Sequence, residues 1–204
     1  MSSTNDNVIA VVGATGQQGS GVERALRHAG PFTVRALTRH PGQHPGLGDE
    51  VVEADLNRPE TLTAGFRSAH GVFLVTNFWE KDADEGKQAA AVVRAALDAG
   101  VKQFIWSTLP DVEAISGGKF KVAPFTGKAK VDRIVMEAGF AYHTFVIAPF
   151  YYQNLVGVLA PQEQPNGSLG WALPLRSGRE LHSHGRHSRI RQHRCGVPRR
   201  DRRD

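Results

Sequence analysis

The residues best placed to do chemistry in this chain are three glycines near its start, Gly13, Gly16 and Gly19, spaced Gly-x-x-Gly-x-x-Gly. They follow an apolar, β-branched run at 8–12 that reads as a fully buried strand. After them, Val22, Ala25, Leu26 and Ala29 keep the i, i+3, i+4, i+7 spacing of one helix face. Strand, glycine turn and helix in that order form the entrance of a dinucleotide-binding βαβ unit. The glycines permit the tight turn, close backbone approach to a pyrophosphate, and tight packing of helix on strand. The loop Gly13, Ala14, Thr15, Gly16, Gln17, Gln18 and Gly19 thus leads into a helix N-terminus whose free N–H groups attract an anion.

The next strand reads as Phe32 to Thr38, and the residue after it is Arg39. A site selective for NAD usually carries an acid about 20 residues past the glycine turn, accepting from the ribose 2′-OH. Here no acid appears until Asp49. A guanidinium at Arg39 would pair with a 2′-phosphate through charge-assisted bonds, whereas a carboxylate would repel it. NADP(H) is therefore expected over NAD(H), a solvated surface arginine being the plain alternative.

These residues need a sheet to position them. Short segments at 50–54, 71–75, 102–107 and 142–147 read as four further strands, that at 71–75 buried. Helices are expected after Asn57, as a cap with Pro59 in the first turn, from Ala83 to Ala99, and from Gly127 to Ala138. In the second of these, Ala89, Val92, Val93 and Ala96 form the apolar face. The alternation predicts an α/β fold, a Rossmann-like doubly wound parallel sheet of order 3-2-1-4-5-6, binding ligand at the strands' carboxyl ends. That rule singles out the glycine loop, Arg39, Asp55-Leu56, Thr76-Asn77-Phe78, Ser107-Thr108 and 149–154. Asp55 suits an adenine amino group, with Leu56 against the ring; Asn77 and Phe78 suit a ribose and the nicotinamide. Each alone reads equally well as a cap or turn residue.

The chain has 204 residues and a net charge of +5, but the charge is unevenly placed. Residues 176–204 hold ten Arg, no Lys, four His and three acids, a net +7, which leaves −2 for everything before them. A boundary is therefore expected near Leu175, dividing a nucleotide-binding domain, 1–175, from an Arg/His-rich disordered tail, 176–204. The tail's His spacings give no closed metal-ligand set. Its Lys-free, Arg-rich composition resembles an out-of-frame read through GC-rich DNA, so a truncated or frame-disrupted terminus is expected. A tail of no specific role and a basic nucleic-acid arm are the alternatives. The single cysteine, Cys195, rules out an intramolecular disulfide, and no run approaches the roughly 18 apolar residues of a membrane span. A soluble, cytoplasmic protein is the resulting expectation, with no membrane partner and nucleic acid disfavoured.

Four segments, 13–19, Val75-Thr-Asn-Phe-Trp-Glu80, 125–131 and Pro149-Phe-Tyr-Tyr-Gln-Asn154, carry a family resemblance. Together they resemble the NmrA-like family of atypical short-chain dehydrogenases/reductases, most of all its HSCARG-type NADPH-sensor branch, over about Ile9 to Pro174. The resemblance implies an NADP(H) site that also includes Lys87, Lys128 and residues Tyr151 to Asn154. It implies further that a substrate-side lobe continues past this region, so that lobe is expected to be incomplete here. Known members include redox sensors that bind other proteins and reductases of quinones or related carbonyls.

Short-chain reductases use Tyr-x-x-x-Lys, which puts both side chains on one helix face. Four residues before Lys128 stands Pro124, and four before Lys130 stands Thr126. Neither can serve as the acid. No catalytic residue is therefore assigned. A redox sensor acting through nucleotide occupancy is the leading expectation, and an NADPH-dependent oxidoreductase of quinones or carbonyls the alternative.

Overall fold

A computed structural model describes residues 7–80, 84–157, 159–163, 167–170 and the backbone of 191–194. Contacts divide the chain into one unit, Met1–Ile147 with Ile190–Asp204, and a second, Ala148–Arg189.

In the first unit the six expected strands form: β1 Val8–Val12, β2 Thr33–Thr38, β3 Glu50–Glu53, β4 Gly71–Leu74, β5 Gln103–Thr108 and β6 Tyr142–Ile147. They lie parallel in the order β3-β2-β1-β4-β5-β6. The helices are α1 Gln17–Ala29, α2 Leu62–Phe66, α3 Glu85–Asp98, α4 Val112–Ile115 and α5 Ala123–Glu137. Because strand side chains alternate, the sheet feeds two cores. Val8, Ala10 and Val12 cluster with Leu37, Val72, Leu74, Phe104 and Trp106, together with apolar residues of α3 and α5. Ile9 and Val11 cluster on the other face with Val34, Ala36 and Phe73, against Val22 and Leu26 of α1.

Local chemistry moves several boundaries. Asp84 caps α3, its Oδ1 accepting from Lys87 N at 3.0 Å, while the expected start at Ala83 lies outside the described residues. That backbone donor, with the Lys87 side chain, holds the Asp84 carboxyl below its ordinary value. Helix α5 starts at Ala123 rather than Gly127, because Pro124 is well suited to a first turn. The short α4 adds to the expected helices; Asp111 caps it, accepting from Ala114 N at 3.0 Å. Asn57 is not a helix cap: a 3-10 turn, Pro59–Thr61, begins after Arg58, and Asn57 Oδ1 accepts from Gln88 Nε2 of α3 at 3.0 Å. In α1 the buried residues are Gly19 and Glu23, and Ala25 and Ala29 are exposed. Val22 and Leu26 of the expected face pack on the core, while Gly19 is buried because it lies against Gly13 and Ala14 of the turn.

The second unit contains a 3-10 turn, Tyr152–Val156, and a two-stranded antiparallel ribbon of β7 Gln162–Glu163 and β8 Leu169–Gly170. Within 176–204, β9 Arg191–Arg194 pairs antiparallel with β6 and adds a seventh strand to the first unit's sheet. The physical reason is backbone chemistry: an edge strand offers a row of N–H and C=O groups to any extended segment. The rest of 176–204, Cys195 included, lies outside the described residues. Among the described residues, no helix is long and apolar enough to cross a membrane.

Candidate functional site

The glycine turn connects β1 to α1 at the carboxyl edge of the sheet. Gly13 adopts φ +78°, and a Cβ there would lie 2.8 Å from both Cγ1 and the carbonyl oxygen of Val75, just past β4. A Cβ on Gly19 would overlap the Gly13 carbonyl oxygen. Backbone therefore occupies the space that side chains would need. Gly16 is exposed and stands at the N-cap of α1, where no side-chain cap bond forms. The first N–H groups of α1 consequently lack a side-chain acceptor at the cap, as an anion cradle requires. Gln18 ties the turn to β5, two strands along the sheet from β1, its Oε1 accepting from Ser107 Oγ at 2.8 Å.

Arg39 follows β2 on this same edge and is half exposed, with its Nη1 donating to Glu80 Oε1. The neighbourhood that is free of acids in the sequence thus acquires one from 41 residues away. Asp55 works as a turn residue: Oδ1 accepts from Asn57 N at 2.9 Å, and Oδ2 lies 3.4 Å from Arg58 Nε. Leu56 packs on the core. Asn77 makes a similar turn, accepting from Trp79 N at 3.1 Å, and Phe78 meets Trp79 edge-on at 5.3 Å between centroids. Lys87 lies exposed on α3 with its ammonium 3.3 Å from Asp84. Tyr151 and Asn154 belong to the second unit, where Asn154 N donates to Tyr151 O at 3.0 Å and burial pushes the Tyr151 phenol up.

Lys128 is buried, at 8% exposure, and its ammonium donates to Thr76 O, Thr76 Oγ1 and Glu85 Oε1 at 3.0, 2.8 and 2.8 Å. An ammonium has three protons, so its donors are all committed within the protein. Thr76 Oγ1 in turn donates to Glu85 Oε1 at 2.5 Å, and Glu85 Oε2 is buried without a partner among the described residues. The Lys128 ammonium also sits 4.9 Å from the Trp106 ring centre, and Trp106 Nε1 donates to Asp132 Oδ1 at 2.9 Å. Burial raises the Asp132 carboxyl above its ordinary value, opposed by the donors from Thr108 and Trp106.

Glu85, Glu80 and Glu23 are not among the site residues expected from the sequence. Two of them carry a legible signal. Glu85 stands four residues before Ala89 on the buried stripe of α3, and Glu23 beside Val22 on the inward side of α1. A charge on an apolar stripe needs a partner. Lys128 supplies it for Glu85; Arg27 Nη1 and Gly48 N supply it for Glu23, at 3.2 and 3.0 Å. Glu80 has no such signal, because its partner is set by the sheet order.

Strand order, glycine turn and uncapped α1 define an α/β protein of the dinucleotide-binding class. Comparison with known proteins narrows this: the NmrA-like family profile matches residues 5–184, and the chain belongs to that family. An NmrA-like family domain-containing protein of Dictyostelium discoideum is 33% identical over 181 residues, 80% of this chain and 59% of its own length. An NmrA-like family domain-containing oxidoreductase of Aspergillus hancockii is 34% identical over 166 residues, 76% of this chain and 50% of its own. The crystal structure of NmrA, a negative transcriptional regulator, in complex with NADP superposes with TM-score 0.68 at 26% identity, covering 81% of this chain and 53% of that one. The same regulator has a structure in complex with NAD. The chain spans about half to three-fifths of the length of these relatives.

Proposed function

We propose that this chain binds NADP(H) at the glycine-turn edge and acts as a redox sensor or regulator through nucleotide occupancy. The observation that carries the reading is the pair of positions, Gly13 and Gly19, where a Cβ has no room, leading into an uncapped helix. The residues present fit the cofactor: backbone N–H groups of the turn and α1 would hold the pyrophosphate, and Arg39 the 2′-phosphate. Asp55, Leu56, Asn77 and Phe78 would line the adenosine and nicotinamide sides. A bound NADPH would supply a hydride. The NADP complex of the related regulator supports this reading.

Regulation is favoured over turnover by the state of α5. Pro124 and Thr126 stand where a short-chain reductase presents its tyrosine, and Lys128 is engaged by Thr76 and Glu85. Lys128 holds α5 against α3 and the end of β4. The second reading is an oxidoreductase of quinones or related carbonyls, favoured by the oxidoreductase name of the Aspergillus relative.

Calorimetric titration with NADPH and NADH tests the site. NADPH should bind more tightly, and Arg39→Ala should erode most of the difference, since a lost charge-assisted contact costs about 1.5–3 kcal/mol, roughly ten- to a hundredfold in affinity. Equal affinity for both nucleotides in the parent chain would remove the 2′-phosphate assignment. NADPH consumption with a panel of quinones decides between the two readings, and sustained turnover would favour the enzyme.

A further inference from the structure

Arg39 and Glu80 come from the two loops that flank the glycine turn, one following β2 and the other β4, with β1 between those strands. Their ion pair therefore joins the two sides of the edge where the nucleotide reading places the ligand. Glu80 occupies a guanidinium N–H, at the side chain that the reading assigns to the 2′-phosphate. A carboxylate and a phosphate cannot share that fork without repelling each other.

We infer that Glu80 is a specificity-determining residue: it competes with the 2′-phosphate for Arg39 and so compresses the preference for NADPH over NADH. The inference rests on the nucleotide site proposed above. NADPH must displace the Glu80 carboxylate to engage Arg39, and the energy of that ion pair is subtracted from its binding. NADH carries a hydroxyl at the same place and leaves the pair closed. Glu80 thus lowers affinity for one nucleotide and not the other.

The size of the effect follows from exposure. Arg39 is 51% and Glu80 30% exposed. Exposed ion pairs are weak, so removing this one should tighten NADPH about two- to fivefold.

The test is a double-mutant cycle on the full chain, titrating NADPH and NADH into the parent, Glu80→Gln, Arg39→Ala and the combined variant. Glu80→Gln keeps the shape and removes the charge; a thermal melt of each variant checks that the fold is kept. The expected result is a gain of about two- to fivefold for NADPH in Glu80→Gln, an NADH affinity within about twofold of the parent, and no NADPH gain once Arg39 is absent. A gain that persists without Arg39 would overturn the competition, because Glu80 would then act on the phosphate directly. An equal gain for NADH would overturn it as well, making Glu80 a barrier to both nucleotides. Weaker NADPH binding in Glu80→Gln would make Glu80 a ligand contact, and also overturns it. In each of these cases the nucleotide site itself stands. A parent chain that binds neither nucleotide removes the site and this inference together.

Discussion

At the scale of single residues, the buried Lys128–Glu85 pair has a large consequence for stability. Removing one partner leaves the other charge buried and uncompensated, which typically costs about 3–5 kcal/mol. Lys128→Met should lower stability to urea by about that amount, and Lys128→Met with Glu85→Leu should recover much of it. A single substitution costing under about 1 kcal/mol would show that water reaches the pair. Asp132 gives a pH test. Its folded carboxyl is raised by burial, so the folded chain holds this proton more tightly than the unfolded chain does. Stability contributed by the protonated form is then lost as pH rises from the ordinary carboxylate range through the folded value. Asp132→Asn never ionises and can still accept from the Trp106 indole. It should melt higher than the parent at about pH 7, with the advantage shrinking toward about pH 4. A lower midpoint at neutral pH would show that the carboxylate charge is required.

At the scale of elements, the glycine turn separates folding from binding. Gly19→Ala sets a methyl against the Gly13 carbonyl and must push α1 away from β1, so it should lower the thermal midpoint and weaken NADPH together. Gly16→Val acts on an exposed residue whose added Cβ meets the Gly13 carbonyl oxygen at 3.3 Å, and it should abolish nucleotide binding with a modest loss of fold. Retained binding in Gly16→Val would make the loop purely structural. All six parallel strands are legible in the sequence because each is a short segment, most of them apolar runs, set off by turn or helix signals, and the apolar face of α3 is legible from its period. The start of α5 is not, because Pro124 reads equally as a breaker and as a first-turn residue. Half of the α1 face is legible, in Val22 and Leu26, and the rest is not: period counting rewards alanines and is blind to a glycine chosen for contact. In the candidate site, the backbone positions are readable, since glycine spacing encodes them locally. The side-chain partners are not, because Arg39 and Glu80, or Lys128 and Thr76, meet only once non-adjacent segments are in place.

At the scale of the whole molecule, sheet order sets what each part can affect. Between β1 and β9 stand β4, β5 and β6, so deleting 176–204 removes an edge strand remote from the glycine turn. NADPH affinity should stay within about twofold and the thermal midpoint should fall only slightly; a large drop in either would give that segment a role in the domain. The same order also imposes a timetable on synthesis. The glycine turn at Gly13 is closed on one side by Val75, and β1 pairs with β4, whose first residue comes 59 positions after the last of β1. At roughly 5–20 residues per second, that gap lasts about 3–12 s on the ribosome. During it the glycine turn exists without its wall. Nucleotide bound as proposed above would meet the completed turn only once β4 has paired with β1.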